Sequence, residues 1–341
     1  MKSSALRVPR EGGEAARRAL ADVGALRGDL RIAEVDGWIV LPLRGPGTAP
    51  PGLGEELTWD FAEASSRGPQ DYRDLLVGWP EEEREPLPRA FDVVGDIVLL
   101  RIPPSLVARQ REIGEALLRF VPGARLVAAD HGVQGPERRR EVERIAGGGP
   151  WRTRHRENGL EFDVDVERAY FSPRLAREHA RVAEATGPRR RAYDLCCGVG
   201  PFAVTIAHRG EGREVTAVDV NPAAIELLRS TAARYGLERQ IDVREERVER
   251  FLDGAVPVEL VVLNLPHEGI KYLASVGNVV SPAGRLFYYE VTPRQAVDTR
   301  SAELVATLGG PDRWGLVDAR VVHPYSPSAD LRAYTFERFG A

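Results

Sequence analysis

The stretch DLCCGVGPF, residues 194–202, places two glycines directly after a short apolar segment and before a segment with helical spacing. Glycine allows the backbone to turn sharply and lets a ligand approach it closely. In open α/β sheets, ligands bind at such turns, at the carboxyl ends of the strands. Gly198 and Gly200 therefore predict a strand-to-helix turn that holds a ligand.

Strand-like and helix-like segments alternate around this turn and onward to the end of the chain. VTAVDV, LVVLNLP and RLFYYEV are nearly continuous apolar runs, and NPAAIELLRSTAARYG between them has helical spacing. Such alternation is typical of a parallel sheet covered by helices on both faces. We expect a doubly wound, Rossmann-like α/β domain over residues 185–341.

Two smaller modules are predicted before this domain. Residues 1–60 combine the helical pattern GEAARRALADVGAL with the strand-like LRIAEVDGWIVLPL, which indicates a small α+β module. From Arg44 to about Pro88, proline and glycine recur, so linker and loop are expected there. Residues 85–184 include the strand-like FDVVGDIVLLRIP and the helical SLVARQREIGEALLRFVPG, and they predict a mixed α+β domain.

Composition restricts the class of protein. Of the 341 residues, 43% are hydrophobic and 29% charged, and no apolar run approaches the roughly 18 residues that cross a bilayer. Cys196 and Cys197, the only cysteines, are adjacent and suit neither a disulfide framework nor a four-ligand zinc site. We expect a cytoplasmic monomer with no membrane partner and no metal. The net charge of −4 also gives no reason to expect a DNA partner.

The glycine turn is compatible with two nucleotide cofactors. Asp194 stands four residues before Gly198, which gives the DxxxGxG pattern of class I methyltransferases, in which the acid reaches the amino-acid end of S-adenosylmethionine. Asp219 ends the next strand, where an acid can hydrogen-bond both ribose hydroxyls, and Val220 and Asn221 follow it. The same letters satisfy GxGxxA, so NAD remains open, as does a purely structural turn with Asp219 as a helix cap. The pattern favours S-adenosylmethionine.

The segment LVVLNLPHEG, residues 260–269, ends a buried strand in an amide and a proline. Asn264 offers one acceptor and two donors, which suits the edge of a nucleobase, and Pro266 restrains the backbone after it. In N6-adenine methyltransferases the comparable motif has a second proline and an aromatic residue and binds an exocyclic amine. Because Leu265 replaces that proline and no aromatic follows, a different ring atom is the expected target. A capping Asn in a turn is the alternative.

Five segments occur in an order that resembles one family. They are FDVVGDIVLLRIP, YFSPRLAREHARVA (170–183), CCGVGPF, NLPH and HPYSPS (323–328). Over nearly the whole chain they resemble the archaeal and eukaryal type of tRNA (guanine-N1)-methyltransferase. The resemblance implies S-adenosylmethionine as cofactor, tRNA as partner, and N1 of the guanosine 3′ of the anticodon as the methylated atom.

Two other functions remain open beside this one. A related enzyme of the wyosine pathway transfers the aminocarboxypropyl arm of the same cofactor to a tRNA base. Retention of Glu178 and of NLP argues against that branch. The third possibility is a tRNA-binding protein with a noncatalytic nucleotide pocket.

The resemblance also implies roles for individual residues. Glu178 corresponds to the general base that removes the N1 proton, and Arg138 to the arginine that stabilises O6, with Arg139 and Arg140 leaving the register open. Asn264 and Pro266 complete the implied catalytic set. His179, Glu246 and Asn264 complete the implied cofactor contacts. The implied substrate contacts also include Tyr170, Phe171, Arg174 and Arg140. Arg247 stands where the family usually has an acid beside the adenine.

The chemistry explains why such residues are needed. Guanine N1 carries a proton at neutral pH, and its loss leaves negative charge largely on O6. The site needs a carboxylate near N1, a cation near O6 and an aligned methyl donor. Without the resemblance, a Glu such as Glu178 at a helix start is more often a solvated residue favoured by the helix dipole.

Residues 135–159 are rich in arginine, with seven Arg and Trp151. Arginines contact phosphates, and an aromatic ring can stack on an unpaired base. The stretch therefore predicts a contact with RNA. The alternative is a solvated helix face.

Overall fold

The computed structural model describes residues 1–63, 69–135, 137–187, 191–210 and 212–340, without the side chain of Asp298. The chain divides into two compact units, Met1–Asp74 and Leu75–Ala341. Within the described ranges, every helix is too short or too polar to cross a bilayer.

The first unit is a four-stranded antiparallel sheet with one helix. Its elements are β1 Lys2–Pro9, α1 Gly13–Asp22, β2 Ala33–Val35, β3 Trp38–Pro42 and β4 Glu55–Asp60. The strand order is β2-β3-β1-β4, and Leu6, Leu20 and Leu41 fill the core. The expectation of uninterrupted linker and loop from Arg44 is wrong at β4. Leu57 in this strand lies opposite Ala5 of β1 and packs half-buried against a small apolar cluster.

The second unit begins with a four-stranded sheet and a hairpin. Its first elements are α2 Glu81–Arg84, β5 Asp92–Val94, β6 Ile97–Leu100, α3 Gln110–Phe120, β7 Leu126–Gln134, β8 Arg139–Gly147, β9 Arg152–Glu157, β10 Leu160–Asp165 and α4 Ala176–Ala185. The sheet order is β5-β6-β7-β8, and β9 pairs with β10. The arginine-rich stretch thus forms β8 and β9, so the alternative of a helix face is wrong.

A seven-stranded sheet follows, with helices between its strands. The elements are β11 Arg191–Leu195, α5 Pro201–Arg209, β12 Glu214–Asp219, α6 Pro222–Arg234, β13 Ile241–Glu245, α7 Val248–Gly254, β14 Val258–Leu263, α8 Leu273–Asn278, β15 Val280–Pro293, α9 Val297–Leu308, β16 Trp314–Ser326 and β17 Ala329–Arg338. The order is β13-β12-β11-β14-β15-β17-β16, parallel through β15 and antiparallel beyond it. The predicted doubly wound fold is confirmed. The strand order reverses between β11 and β14, which is where such sheets bind ligands.

One apolar cluster joins the smaller sheets to the large one. Ile97 of β6 and Phe162 of β10 belong to the same buried cluster as Phe202 and Ile206 of α5. Arg234 of α6 adds a polar link, since it donates to both carboxylate oxygens of Asp163 at 2.8 and 2.9 Å. The predicted boundary near residue 184 therefore separates sheets that share one core.

Candidate active site

A cavity of about 700 Å³ lies at the carboxyl ends of β11, β12 and β14 and reaches the turn between β7 and β8. Gly198, Asp219 and Asn264 line it from the large sheet, and Arg138 and Tyr170 from the other side. Its volume lies within the range of ligand pockets, roughly 300–1,000 Å³. The sequence therefore brings most of its candidate residues to one place.

Gly198 and Gly200, in the turn between β11 and α5, have different roles. Gly198 has φ +55°, and a Cβ there would meet only the carbonyl oxygen of Tyr170, at 3.5 Å, so one side of the backbone stays open to the cavity. Gly200 has φ +79°, does not line the cavity, and a Cβ there would lie 2.2 Å from Cδ1 of Leu228 in α6. Gly198 is suited to ligand approach, whereas Gly200 is required for the packing of α5 against α6.

Asp219, at the end of β12, is held by the backbone around it. Its Oδ2 accepts from the N–H of Gly198 at 2.7 Å and its Oδ1 from the N–H of Asn221 at 2.9 Å. Burial raises the pKa of this carboxyl above its usual range. A carboxylate oxygen has two lone pairs, so each oxygen still has room for a ligand hydroxyl. Val220, the next residue, also lines the cavity.

Asp194 is not on the cavity wall. It is fully buried at the end of β11, where its Oδ2 accepts from the N–H of Ala203 in α5 at 3.0 Å. Its Oδ1 has no partner among the described residues, and burial raises the pKa of the group to about 7. The acid of the DxxxGxG pattern thus lies beneath the turn and supports the start of α5, without reaching the cavity.

The three successive arginines, whose register the sequence leaves open, have different surroundings. Arg140 is buried, ion-paired with Asp130, and donates to the carbonyl of Phe171 at 3.2 Å. Arg139 is exposed, does not line the cavity, and pairs with Glu137 at 2.6 Å. Arg138 lines the cavity, has φ +50°, and forms no ion pair within the described part of the chain. Of the three, Arg138 is the one available to a ligand.

The other substrate candidates surround Arg138. The guanidinium groups of Arg138 and Arg140 lie 5.4 and 5.2 Å from the centre of the Tyr170 ring, within cation–π distance. Phe171 and Arg174 also line the cavity, but Arg174 is already paired with Asp92 of β5 at 2.7 Å. Tyr170 therefore offers a flat face beside the only unpaired arginine of this group.

Glu178, in the first turn of α4, is buried but is not part of the cavity wall. Leu175, three residues before Glu178, and His179, the residue after it, both line the cavity. Its carboxylate accepts from Arg320, Arg181 and Tyr289. The helix start predicted a solvated or catalytic Glu, and the structure places it in neither bulk water nor the open cavity.

His179 and Asn264 carry buried polar atoms with no partner among the described residues. His179 lines the cavity with its Nδ1 2.6 Å from Oε1 of Glu157, while its Nε2 is unpartnered. The Oδ1 of Asn264 is likewise unpartnered, and Pro266 beyond it lines the same wall. Buried polar groups normally have partners, so these atoms favour a polar ligand. Because the Oδ1 of Asn264 accepts no hydrogen bond from a described residue, the alternative of a capping Asn in a turn lacks support.

The place expected to hold an adenine combines an acid and an arginine. Glu246 and Arg247 both line the cavity after β13, and the backbone N–H of Glu246 donates to the carbonyl of Asp219 at 3.1 Å. The guanidinium of Arg247 forms an ion pair with the carboxylate of Glu249, at 3.2 Å. Among the described residues, Arg247 thus pairs with Glu249 and not with Glu246.

Sequence reasoning missed a pair at the other end of the cavity. His267 and Tyr325 both line it, and the Nε2 of His267 lies 3.1 Å from the Tyr325 hydroxyl. Burial and the positive charge of Arg138 lower the pKa of His267. The two residues lie 58 positions apart in the chain. His267 belongs to NLPH and Tyr325 to HPYSPS, which both carry the family resemblance, and that shared resemblance is the clue that the sequence offers. No group of three metal-ligating side chains occurs among the described residues.

Comparison with known families covers most of the chain. Residues 153–311 match the TRM5/TYW2 methyltransferase domain, residues 72–150 the TYW2 N-terminal domain, and residues 5–46 the tRNA methyltransferase 5 N-terminal domain. The three matches follow one another without overlap.

Individual relatives give the same result. The tRNA (guanine(37)-N(1))-methyltransferase Trm5b of Pyrococcus abyssi is 31% identical over 299 residues, which are 85% of this chain and 84% of that protein. The crystal structure of Trm5b from Pyrococcus abyssi aligns with a TM-score of 0.77 at 29% identity, over 99% of this chain and 100% of the other. A complex of aTrm5 and tRNALeu aligns with a TM-score of 0.71 at 26% identity, over 98% and 99%.

Proposed function

The chain belongs to the tRNA (guanine(37)-N(1))-methyltransferase family, and from that premise we propose that it methylates N1 of guanosine 37 in tRNA, with S-adenosylmethionine as the methyl donor. The observation that carries the proposal is Arg138, unpaired among the described residues, on the wall of the same cavity as the open glycine turn. A cation at that place is what a guanine losing its N1 proton requires.

The residues at the glycine turn fit the cofactor. Asp219 has lone pairs left for ribose hydroxyls, and the open side of Gly198 lets a ligand lie against the backbone. His179 lines the same cavity, and its buried Nε2 has no partner among the described residues. S-adenosylmethionine supplies, when bound, an activated methyl group. The residues of this chain bind and orient it and prepare the guanine.

Arg138 stabilises the charge that develops on O6. Its planar guanidinium offers several donors in a fixed fork, which suits a carbonyl or enolate oxygen better than a lysine would. Asn264 meets another edge of the ring with its amide, and the Tyr170 face lies beside Arg138 for stacking. Guanosine 37 must leave the anticodon loop to reach this cavity, which costs a few kcal/mol or less for a loosely stacked base.

Glu178 accepts the N1 proton. Its carboxylate is buried, and three side chains donate to it, while the neighbouring His179 lines the cavity. A general base must come within hydrogen-bond distance of the proton, and such contacts tighten when the substrate binds. The role therefore requires N1 of the guanine to come within hydrogen-bond distance of this carboxylate in the complex with tRNA.

A second candidate is transfer of the aminocarboxypropyl arm of the same cofactor, favoured by the match of residues 72–150 to the TYW2 N-terminal domain. Mass analysis of nucleosides from tRNA treated with the protein and S-adenosylmethionine separates the two. A gain of one methyl on guanosine 37 supports the proposal. A larger adduct supports the second candidate, and an unmodified tRNA contradicts both.

A further inference from the structure

The carboxylate of Glu178 is surrounded by donors from three elements of the fold. Tyr289 of β15 donates its hydroxyl to Oε2 at 3.0 Å, and Arg181 of α4 donates to Oε2 from Nη2 at 3.1 Å and from Nε at 3.3 Å. Arg320 of the edge strand β16 reaches both oxygens from Nη2, each at 2.7 Å. These are the shortest of the contacts, and charge-assisted hydrogen bonds are the strong ones.

The register of the sheet explains how a strand at the edge reaches this helix. Tyr289 lies opposite Ala333 of β17, and Ala333 lies opposite Arg320. Residues directly opposite in antiparallel strands project from the same face, so the three side chains form a row. The central member is only a methyl group, which leaves space over β17 for the Glu178 carboxylate between a phenol and a guanidinium.

The two oxygens of Glu178 are not equivalent. Oε2 accepts from Tyr289, Arg181 and Arg320, whereas Oε1 accepts, among the described residues, from Arg320 alone. A carboxylate oxygen has two lone pairs, so Oε1 retains one. Burial and the charge of Glu178 raise the pKa of Tyr289, which therefore stays protonated and remains a donor. Oε2 is the anchored atom, and Oε1 is the one able to receive a proton.

We infer that Arg320 is a positioning residue for Glu178. It holds the carboxylate through both oxygens and leaves a lone pair of Oε1 as the accepting site. The inference rests on the proposed function, because it assigns a role to the partner of the proposed base. Arg320 touches neither the cavity wall nor the expected place of the purine, so it acts through Glu178.

Two further polar groups lie beside the arginines that contact Glu178. Arg181 also contacts the hydroxyl of Thr335, at 3.5 Å, and Asp318 lies 3.4 Å from Nη1 of Arg320. Arg320 is 30% exposed, whereas the side chain of Glu178 is 8% exposed. A partly exposed arginine at a sheet edge can be replaced with little effect on packing, so its removal tests the charge and not the fold.

The experiment compares the single-turnover rate of methyl transfer at saturating tRNA and S-adenosylmethionine with the affinities for tRNA and cofactor, for the full chain. The variants are Arg320→Gln, Arg320→Lys and Glu178→Gln. Arg285→Gln is the matched control, because Arg285 pairs with Glu337 at 3.0 Å on the same sheet and does not contact Glu178. Thermal unfolding checks each variant, and Arg320→Met repeats the test should the glutamine variant unfold.

Arg320→Gln is expected to lower the single-turnover rate by about 10²-fold, the order that a misplaced catalytic group costs, while the affinities for tRNA and cofactor stay nearly unchanged. Arg320→Lys restores most of the rate, and Arg285→Gln keeps it within a few-fold of wild type. If Glu178→Gln is slow and Arg320→Gln keeps the wild-type rate, the inference about Arg320 is overturned and the proposed function stands. If Glu178→Gln keeps the full rate, the proposed base itself is wrong. A role of Arg320 in RNA binding alone would weaken tRNA affinity and leave the rate at saturation unchanged, which also overturns the inference.

Discussion

The Nδ2 atom of Asn221 donates to the carbonyl of Glu137 at 3.1 Å, across 84 positions of the chain. Glu137 precedes Arg138, whose left-handed φ of +50° turns its side chain to the cavity. The same amide donates to the carbonyl of Arg168 at 2.7 Å, while its Oδ1 caps α6 through Ala223 at 3.0 Å. One buried side chain therefore ties the turn that carries Arg138 to the helix that follows Asp219.

Replacing Asn221 separates these two roles. Asn221→Ala loses the cap and both bridging bonds, and we expect a loss of about 2–3 kcal/mol in unfolding free energy, from a cap of about 1 and two bonds of about 1 each. Asn221→Ser restores a cap acceptor and is expected to recover roughly the first of these. Denaturant unfolding measures both. Equal stabilities of the two variants would contradict the capping role, and an Asn221→Ser variant as stable as wild type would contradict the bridging role.

Arg138→Ala is expected to lower the rate of methyl transfer by about 10²-fold, the order found for removal of one group that stabilises a developing oxyanion. Arg139→Ala is the matched control, since Arg139 is exposed and pairs only with Glu137. Its rate should remain within a few-fold of wild type. The reverse order of the two effects would show that the register inferred from the cavity is wrong.

The two glycines of the turn predict two different defects. Gly200→Ala places a Cβ 2.2 Å from Leu228 at φ +79°, and overpacking of this kind costs about 1–3 kcal/mol. Gly198→Ala meets only one carbonyl, at 3.5 Å, so stability should fall by about 1 kcal/mol from the left-handed backbone alone. Titration calorimetry with S-adenosylmethionine should show the larger loss of affinity in Gly198→Ala. A larger loss of cofactor affinity in a folded Gly200→Ala variant would contradict the different roles given to the two glycines.

The buried Asp194 predicts a pH-dependent stability. Its pKa is raised to about 7 by burial in the folded state, against about 3.9 in an unfolded chain. Between these values the folded state binds the extra proton, so the contribution of this group to stability falls as pH rises towards about 7 and then levels off. Asp194→Asn keeps an acceptor for Ala203 and removes the titration.

The difference in Tm between Asp194→Asn and wild type should therefore grow in favour of the variant from about pH 5 to about pH 8. Asp242→Asn, an exposed acid on β13 paired with Arg244, serves as the control and should show a flat difference. A flat difference for Asp194→Asn as well would mean that the carboxyl is not desolvated in the folded protein.

The sequence predicted the large sheet because its signal is local. The apolar runs and the glycine turn around Gly198 each specify their own segment, and Asp219 and Asn264 follow directly as the residues that end two parallel strands. The same local reasoning could not separate Gly198 from Gly200, since the difference depends on Leu228 in another helix. It also missed β4, whose half-buried alternation follows a stretch rich in Pro and Gly.

Other parts of the site depend on contacts between distant positions. Arg320 lies 142 residues from Glu178, and the row that brings them together is set by strand register. The sequence likewise placed Asp194 at the cofactor by its motif, although its strand position directs the side chain beneath the turn. The sequence motifs predicted which segments surround the cavity. The pleat and register of the strands determine which of their side chains reach it.

The central claim is that the Glu178 carboxylate removes the N1 proton of guanosine 37, and the most direct measurement is the single-turnover methylation rate of Glu178→Gln at saturating tRNA and cofactor. Glu157→Gln is the matched control, because Glu157 is also buried beside α4 but contacts His179. The account predicts a fall of about 10²–10⁴-fold for Glu178→Gln, with tRNA affinity nearly unchanged, and a smaller fall for Glu157→Gln. A Glu178→Gln rate within a few-fold of wild type across the pH range would contradict it.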